Sequence, residues 1–225
     1  MSFKIISISI YSDGPVVTSV GPSTSVTKLV GQPVELTCTA QGHPEPSYTW
    51  VQVSGTGVDK VRSTGRVLRL PAVQYTDQGV YVCSASNLVK GEKMVARSET
   101  VTLEVQGSPV LAARESSHYV VTGTDARVTV EFCADPRPQV TWIRRGGPEA
   151  DQVLEDGGDG YAVEQILAGE SPDCYSSALT VERPDKTEVH EYLLRVKNQH
   201  GEENHRVYLK VIQLVDIESK SDRFI

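Results

Sequence analysis

Apolar and polar residues alternate with a period of two along VELTCTAQGHPEPSYTW (residues 34–50) and again along VTVEFCADPRPQVTW (residues 128–142). Side chains two apart lie on one face of an extended strand, so each stretch predicts strands with one face turned into a core. No stretch sustains the three-and-four spacing of an amphipathic helix. The expected class is all-β.

A second pair of segments has the same relation. VLRLPAVQYTDQGVYVCSASN (residues 67–87) and ALTVERPDKTEVHEYLLRVKN (residues 178–198) align without gaps at an offset of 111 residues. Leu68 and Leu70 match Leu179 and Val181, Tyr81 matches Tyr192, and Asn87 matches Asn198. In the front halves, Trp50 matches Trp142, and Pro44 and Pro46 match Pro136 and Pro138. A repeat of domain length predicts two copies of one fold. The joint is expected near Gln106-Gly107-Ser108-Pro109, where Gly and Pro interrupt the strand runs. The domains are therefore expected at residues 14–106 and 107–213, after a lead-in at 1–13 and before a tail at 214–225. The lead-in lacks the apolar core and small-residue cleavage site of a signal peptide, and its short apolar run at residues 5–10 reads as a strand. The charged, Ser-containing tail is expected to be poorly ordered.

Composition narrows the function. Aromatics make up only 6% of the residues, while Val, Thr and Ser recur, which favours strands. The formal net charge of −7 argues against a nucleic-acid partner, which needs a clustered basic surface. Residues 14–106 hold 8 basic and 7 acidic side chains, against 11 and 18 in residues 108–213, so the second half carries the imbalance. Such asymmetry either steers a basic partner or serves solubility. No segment has the roughly 20 apolar residues of a membrane span. Four cysteines are compatible with two disulfides in an oxidising compartment, and no CxxC or Cys/His spacing indicates zinc.

Cys38, Trp50, the string Asp77-Gln-Gly79-Val-Tyr81-Val-Cys83, and Asn87 resemble the signature of the immunoglobulin superfamily, most closely its I-set adhesion domains. The resemblance covers nearly all of the chain once the repeat is counted. It implies two tandem immunoglobulin-like β-sandwiches. In the first, Cys38 on strand B and Cys83 on strand F would bridge the sheets, with Trp50 packed on the bridge. Tyr81 would be the tyrosine corner, its hydroxyl bonded to the turn shaped by Asp77 and Gly79.

The second copy departs from the pattern. Leu194 stands where Cys83 stands in the first, and Glu188 and His190 replace the Asp and Gly of the corner. By alternation Cys133 falls on the opposite face from Val128, Val130 and Phe132. The expected inner layer is Phe132, Trp142, Tyr192 and Leu194, closed by packing alone. Strands B and E are antiparallel neighbours in this fold, so Cys133 at the end of B is expected to bond Cys174 at the start of E, on the edge or outer face. Their Cα atoms would lie within the roughly 5.5–6 Å usual for disulfides. The alternative is two free thiols.

No catalytic constellation is visible. The histidines His43, His118, His190, His200 and His205 are scattered, and no GxSxG, HExxH or phosphate-cradling motif occurs. No enzyme activity, cofactor, metal or small-molecule substrate is expected. The acidic run at residues 155–160 reads as a calcium loop or, with no EF-hand spacing, as a mobile loop. Lys60, Arg62, Arg66 and Arg69 read as an acidic-partner or sulfated-glycan patch, or as solvated strand edges. If Trp50, Tyr81 and Cys83 point inward, then Val51, Val53, Val80 and Val82 point outward on one sheet. A solvated sheet face is normally polar, so this strip is a candidate protein-binding surface, the alternative being the β-propensity of valine. No N-x-S/T glycan acceptor occurs.

The resemblance implies a cell-adhesion or surface-receptor ectodomain that binds itself, as a possible homodimer, or another immunoglobulin-superfamily protein, at the cell surface or outside the cell. Two rival readings are an intracellular muscle-type structural protein and a secreted recognition protein.

Overall fold

The computed structural model describes residues 12–55, 57–146, 150–158, 160–169, 171–184 and 190–213. The expected lead-in strand at residues 5–10 and the tail at 214–225 lie outside the described residues. Chain contacts divide the molecule into two compact units, residues 1–105 and 106–225.

In chain order the first unit comprises β1 (Asp13–Gly21), β2 (Ser25–Leu29), β3 (Val34–His43), β4 (Ser47–Val53), β5 (Lys60–Ser63), β6 (Val67–Leu70), β7 (Gly79–Val89), β8 (Glu92–Arg97) and the start of β9 (Val101–Leu111). One sheet runs β1-β3-β6; the other runs β5-β4-β7, with β8 and β9 both on β7 and β2 on β9. Strand β3 shows why the sequence folds this way. Val34, Leu36, Cys38 and Ala40 are buried while Glu35, Thr37 and Thr39 between them are exposed. With Trp50, Leu68, Val73, Tyr81 and Leu103, each at most 1% exposed, they form the filling between the sheets. A sandwich of this kind is stable because each sheet hides its apolar face against the other.

The second unit continues with the end of β9, then β10 (Glu115–Val121), β11 (Ala126–Asp135), β12 (Gln139–Arg144), β13 (Gln152–Val153), β14 (Tyr161–Ala168), β15 (Cys174–Val181), β16 (His190–Asn198) and β17 (Gly201–Ile212). One sheet runs β14-β15-β11-β9 and the other β10-β17-β16-β12-β13. Antiparallel pairing dominates, but β10 joins β17 in parallel. Phe132, Trp142, Tyr192 and Leu194 belong to one buried cluster with Val130, Leu179 and Leu209. The described residues include no α-helix, only a single 3-10 turn at Tyr75–Asp77.

Candidate functional site

Cys38 and Cys83 are bonded across the two sheets of the first unit, with Cα atoms 6.4 Å apart and both side chains buried. Trp50 lies directly opposite Cys83 on the neighbouring strand and is fully buried, its Nε1 donating to Arg66 O at 3.2 Å. The Tyr81 hydroxyl donates to Asp77 O at 2.6 Å. Burial pushes the Tyr81 phenol up to about 12, the Arg62 guanidinium opposing the shift and Asp77 adding to it. Around this corner Arg62 pairs with Asp77 and donates to Gln52 Oε1 at 2.9 Å, while Gln52 Nε2 donates to Gln78 O at 2.9 Å. The corner is thus tied to β4 and β5 by side chains, not only by its own turn.

The second unit closes differently. Counting back from the matching prolines Pro44 and Pro136, Val130 stands in the place of Cys38, and Val130 and Leu194 are 5% and 0% exposed. Trp142 Nε1 donates at 3.0 Å to Ser177 Oγ, which donates at 2.8 Å to Glu164 O, so the indole is satisfied by a buried hydroxyl. Cys133 and Cys174 are bonded and face one another in register across β11 and β15. Their Cα separation is 3.9 Å, shorter than the 5.5–6 Å anticipated. Ala134 N bonds Asp173 O, which makes the cysteines a non-hydrogen-bonded pair, and such pairs stand closer, at about 4.5 Å, than the usual disulfide span. The corner turn before Tyr192, including Glu188, falls in residues 185–189, and it and the His190 side chain lie outside what is described.

The four candidate valines occupy a single patch. Val51 lies directly opposite Val82, and Val53 opposite Val80, so they form two adjacent cross-strand pairs on β4 and β7. Val53 is 42% exposed and the other three are half-buried. Val61 on β5, 61% exposed, stands opposite Val51 and extends the patch. Sequence reading passed over Val61 because a four-residue strand offers too few positions for alternation to register. Towards the other end, Ser47 pairs with Ser86 and Thr49 with Ser84, so β4 and β7 present no charge on this face. Val95 and Leu88, 54% and 62% exposed, stand on the same side of the β7–β8 hairpin, with the exposed Lys93 and Arg97 of β8 on either side of Val95.

The matching face of the second unit is unlike it. There β16 presents Glu191, Arg195 and Lys197 at the outward positions, and Arg195 and Lys197 both pair with Glu202. Its apolar pair, Ile143 opposite Leu193, is 4% and 8% exposed and offers no open surface. Corresponding strands therefore carry an uncharged outward face on β4 and β7 of the first unit and a charged one on β16 of the second.

The other candidates are occupied locally. Arg62 pairs with Asp77, Arg66 with Glu45, and Arg69 with Glu35, so three of the four proposed basic-patch residues already have acidic partners. In the acidic run Asp156 Oδ1 accepts from Val163 N at 3.0 Å, and Asp159 lies outside the described residues. No group of three or more His, Cys, Asp or Glu is arranged to hold a metal among the described residues. No helix among them is long and apolar enough to cross a membrane.

Two β-sandwiches, each with a buried tryptophan against its inter-sheet core and one with the cystine and tyrosine corner, define a tandem of immunoglobulin-type domains. The immunoglobulin domain model matches residues 15–87 and the immunoglobulin I-set domain model matches residues 109–211, together more than half of the chain. The chain belongs to the immunoglobulin superfamily. It is 35% identical over 133 residues to the mouse (Mus musculus) peroxidasin homolog, covering 57% of this chain and 8% of that protein. It is 33% identical over 124 residues to human (Homo sapiens) contactin-2, covering 55% of this chain and 11% of the relative. With human hemicentin-1 it shares 28% identity over 152 residues, 64% of this chain and 3% of the relative. The chain thus spans between 3% and 11% of the length of these three relatives. Among solved structures, it superposes on the Dpr2 Ig1–Ig2 complex with DIP-Theta Ig1–Ig3 with a TM-score of 0.59 at 23% identity, covering 89% of this chain and 66% of that one. For the titin Ig tandem A164–A165 the TM-score is 0.55 at 18% identity, covering 90% of this chain and 99% of that one. These likenesses speak to the fold.

Proposed function

We propose that this chain is a recognition segment of an adhesion or surface-receptor ectodomain, binding a partner protein through the valine face of its first domain. The observation that carries this reading is the pair of valine couples, Val51–Val82 and Val53–Val80, on strands whose outward positions are uncharged. An open apolar patch bordered by hydroxyls, with Lys93 and Arg97 on the β8 side, gains from burial at its centre, which suits a protein surface with an apolar middle and a polar rim. The partner is a second copy of the chain or another immunoglobulin-superfamily protein. The solved Dpr2–DIP-Theta complex is a precedent for one such protein binding another. Two disulfides support a place outside the cell, because the cytosol keeps thiols reduced. The same point weighs against the muscle-type reading despite the titin-like fold.

The test is a binding series by surface plasmon resonance, with the chain measured against itself and against purified tandem-Ig ectodomains. The double variant V51K/V82E should lose binding while keeping the wild-type melting temperature. Binding that survives this change, or a chain that binds none of them and remains monomeric on concentration, overturns the proposal.

A further inference from the structure

We propose that the Cys133–Cys174 bond is a thiol–disulfide exchange site, opened in the folded chain by a dithiol, and that its opening releases the turn between β14 and β15. The two cysteines face each other on β11 and β15, on the outer face of their sheet, because Phe132 and Ala134 on either side of Cys133 point into the core. Both are half-buried, and they line an open groove of about 500 Å³ with Val110, Ala112, Glu131, Ser171 and Tyr175. The bond of the first domain has no such access, since Cys38 and Cys83 are 1% and 0% exposed. Exposed disulfides are the ones that exchange, because an attacking sulfur must reach them.

The domain can open this bond without unfolding. Its core is closed by Phe132, Trp142 and Leu194, with Val130 and Leu194 in the places that Cys38 and Cys83 hold in the first domain. The cysteines are also the last rung of the β11–β15 ladder, which runs on to Ala126 and Val181, so parting them frays an end and leaves the rest paired. At that end Asp173 O accepts from Ala134 N at 2.8 Å, Ser171 O from Cys174 N at 3.2 Å, and Cys174 O from Gly169 N at 2.8 Å. With the sulfurs parted, the turn loses its covalent link to β11 and rests on these bonds and the Phe132–Tyr175 contact. The exchange is two displacements. A thiolate of the dithiol attacks one sulfur, forming a mixed disulfide and expelling the other cysteine as a thiolate, which takes a proton from water. The dithiol's second sulfur gives up its proton, displaces the remaining cysteine, which is protonated in turn, and closes a disulfide of its own. The dithiol loses two electrons, and Cys133 and Cys174 become two thiols. Glu131 is exposed on the same face as Cys133, and Asp173 precedes Cys174, so a dithiol without carboxylates fits best. This inference stands apart from the valine face, which is on the other domain.

The experiment treats the intact chain with dithiothreitol, an uncharged dithiol, at neutral pH without denaturant. Free thiols are trapped with iodoacetamide and located by mass spectrometry, and amide hydrogen exchange is followed on the same samples. Cys133 and Cys174 should be alkylated together while Cys38–Cys83 stays bonded. Their opening rate should rise in proportion to the dithiothreitol concentration, as attack on the folded chain requires. In the reduced chain the middle of the β11–β15 ladder should remain protected, while the amides of Ala134 and Cys174 exchange at least about tenfold faster than it, a gap absent before reduction. The double variant C133S/C174S should show the same gap without dithiothreitol and no further change with it. An opening rate independent of dithiothreitol would mean that the bond waits for unfolding, and would overturn the assignment. Loss of protection throughout the reduced domain, or no gap at Ala134 and Cys174, would overturn it equally.

Discussion

Cys133 and Cys174 face each other across β11 and β15 within one sheet, whereas Cys38 and Cys83 join two sheets through a core. The two bonds therefore do different work. Removing the first leaves a hole in the filling of the sandwich. Removing the second removes a staple from a core that Phe132, Trp142 and Leu194 already close.

The first prediction follows from that difference. The double variant C133S/C174S should fold cooperatively but lose about 3–4 kcal/mol, the chain-entropy value for a loop of this length. Chemical denaturation of the variant measures it, and a variant with no cooperative transition would contradict it. Mild reductant should also open Cys133–Cys174 first, because Cys38 and Cys83 are 1% and 0% exposed and both of the other pair are half-buried. Differential alkylation followed by mass spectrometry reads the order.

Alkaline pH should weaken the first domain through Tyr81. Its phenol is raised from 10.0 to about 12 by burial, so the folded state holds its proton over a range in which the unfolded state has lost it. The contribution is complete below about pH 10 and declines as pH rises toward about 12, a loss on the order of 2 kcal/mol. Y81F has no such proton and should show a flatter stability profile over that interval in urea titrations. An identical slope for Y81F would assign the alkaline loss elsewhere.

Ser177 should matter more than its size implies. S177A strips the acceptor from Trp142 Nε1 inside the second core, and an orphaned buried donor costs about 1–3 kcal/mol. Ser177→Thr keeps the hydroxyl and should recover part of the loss. Denaturant midpoints of the two variants compare them directly.

Asn87 and Asn198 occupy matched positions but have different stakes. Each donates through Nδ2 to two backbone carbonyls, Asp13 and Pro44 for the first, Gly107 and Pro136 for the second. Asn198 Oδ1 also accepts from His200 N and Gly201 N in its tight turn, whereas Asn87 Oδ1 is buried with no hydrogen-bond partner. The hairpin of the first domain turns later, at Lys90 and Gly91, and so carries Asn87 away from any turn N–H. N198A should therefore cost more than N87A, by about 1–2 kcal/mol. Equal losses would mean that only the Nδ2 bonds count.

Much of this architecture was legible along the chain, and the reason is periodicity. Alternation through residues 34–40 and 126–134 states which side chains turn inward, and a repeat with matched Trp, Tyr and Asn positions states that the fold occurs twice. The same parity sets Val51, Val53, Val80 and Val82 on the side opposite Trp50 and Tyr81. Parity is local, needing only the geometry of a single strand.

What tertiary structure alone decided is which strands meet and in what register. Val51 faces Val82 rather than a serine because the β4–β7 ladder aligns there, and Val61 joins them only because β5 folds back onto β4. Ser116 and His205 are 89 residues apart, and nothing in either segment signals that their side chains touch. Sequence determined the faces of each strand and the count of domains, because those depend on neighbours in the chain. Pairing across strands depends on where hairpins turn and how two sheets close on a core, so the valine patch and the Ser116–His205 contact emerge only in the folded molecule.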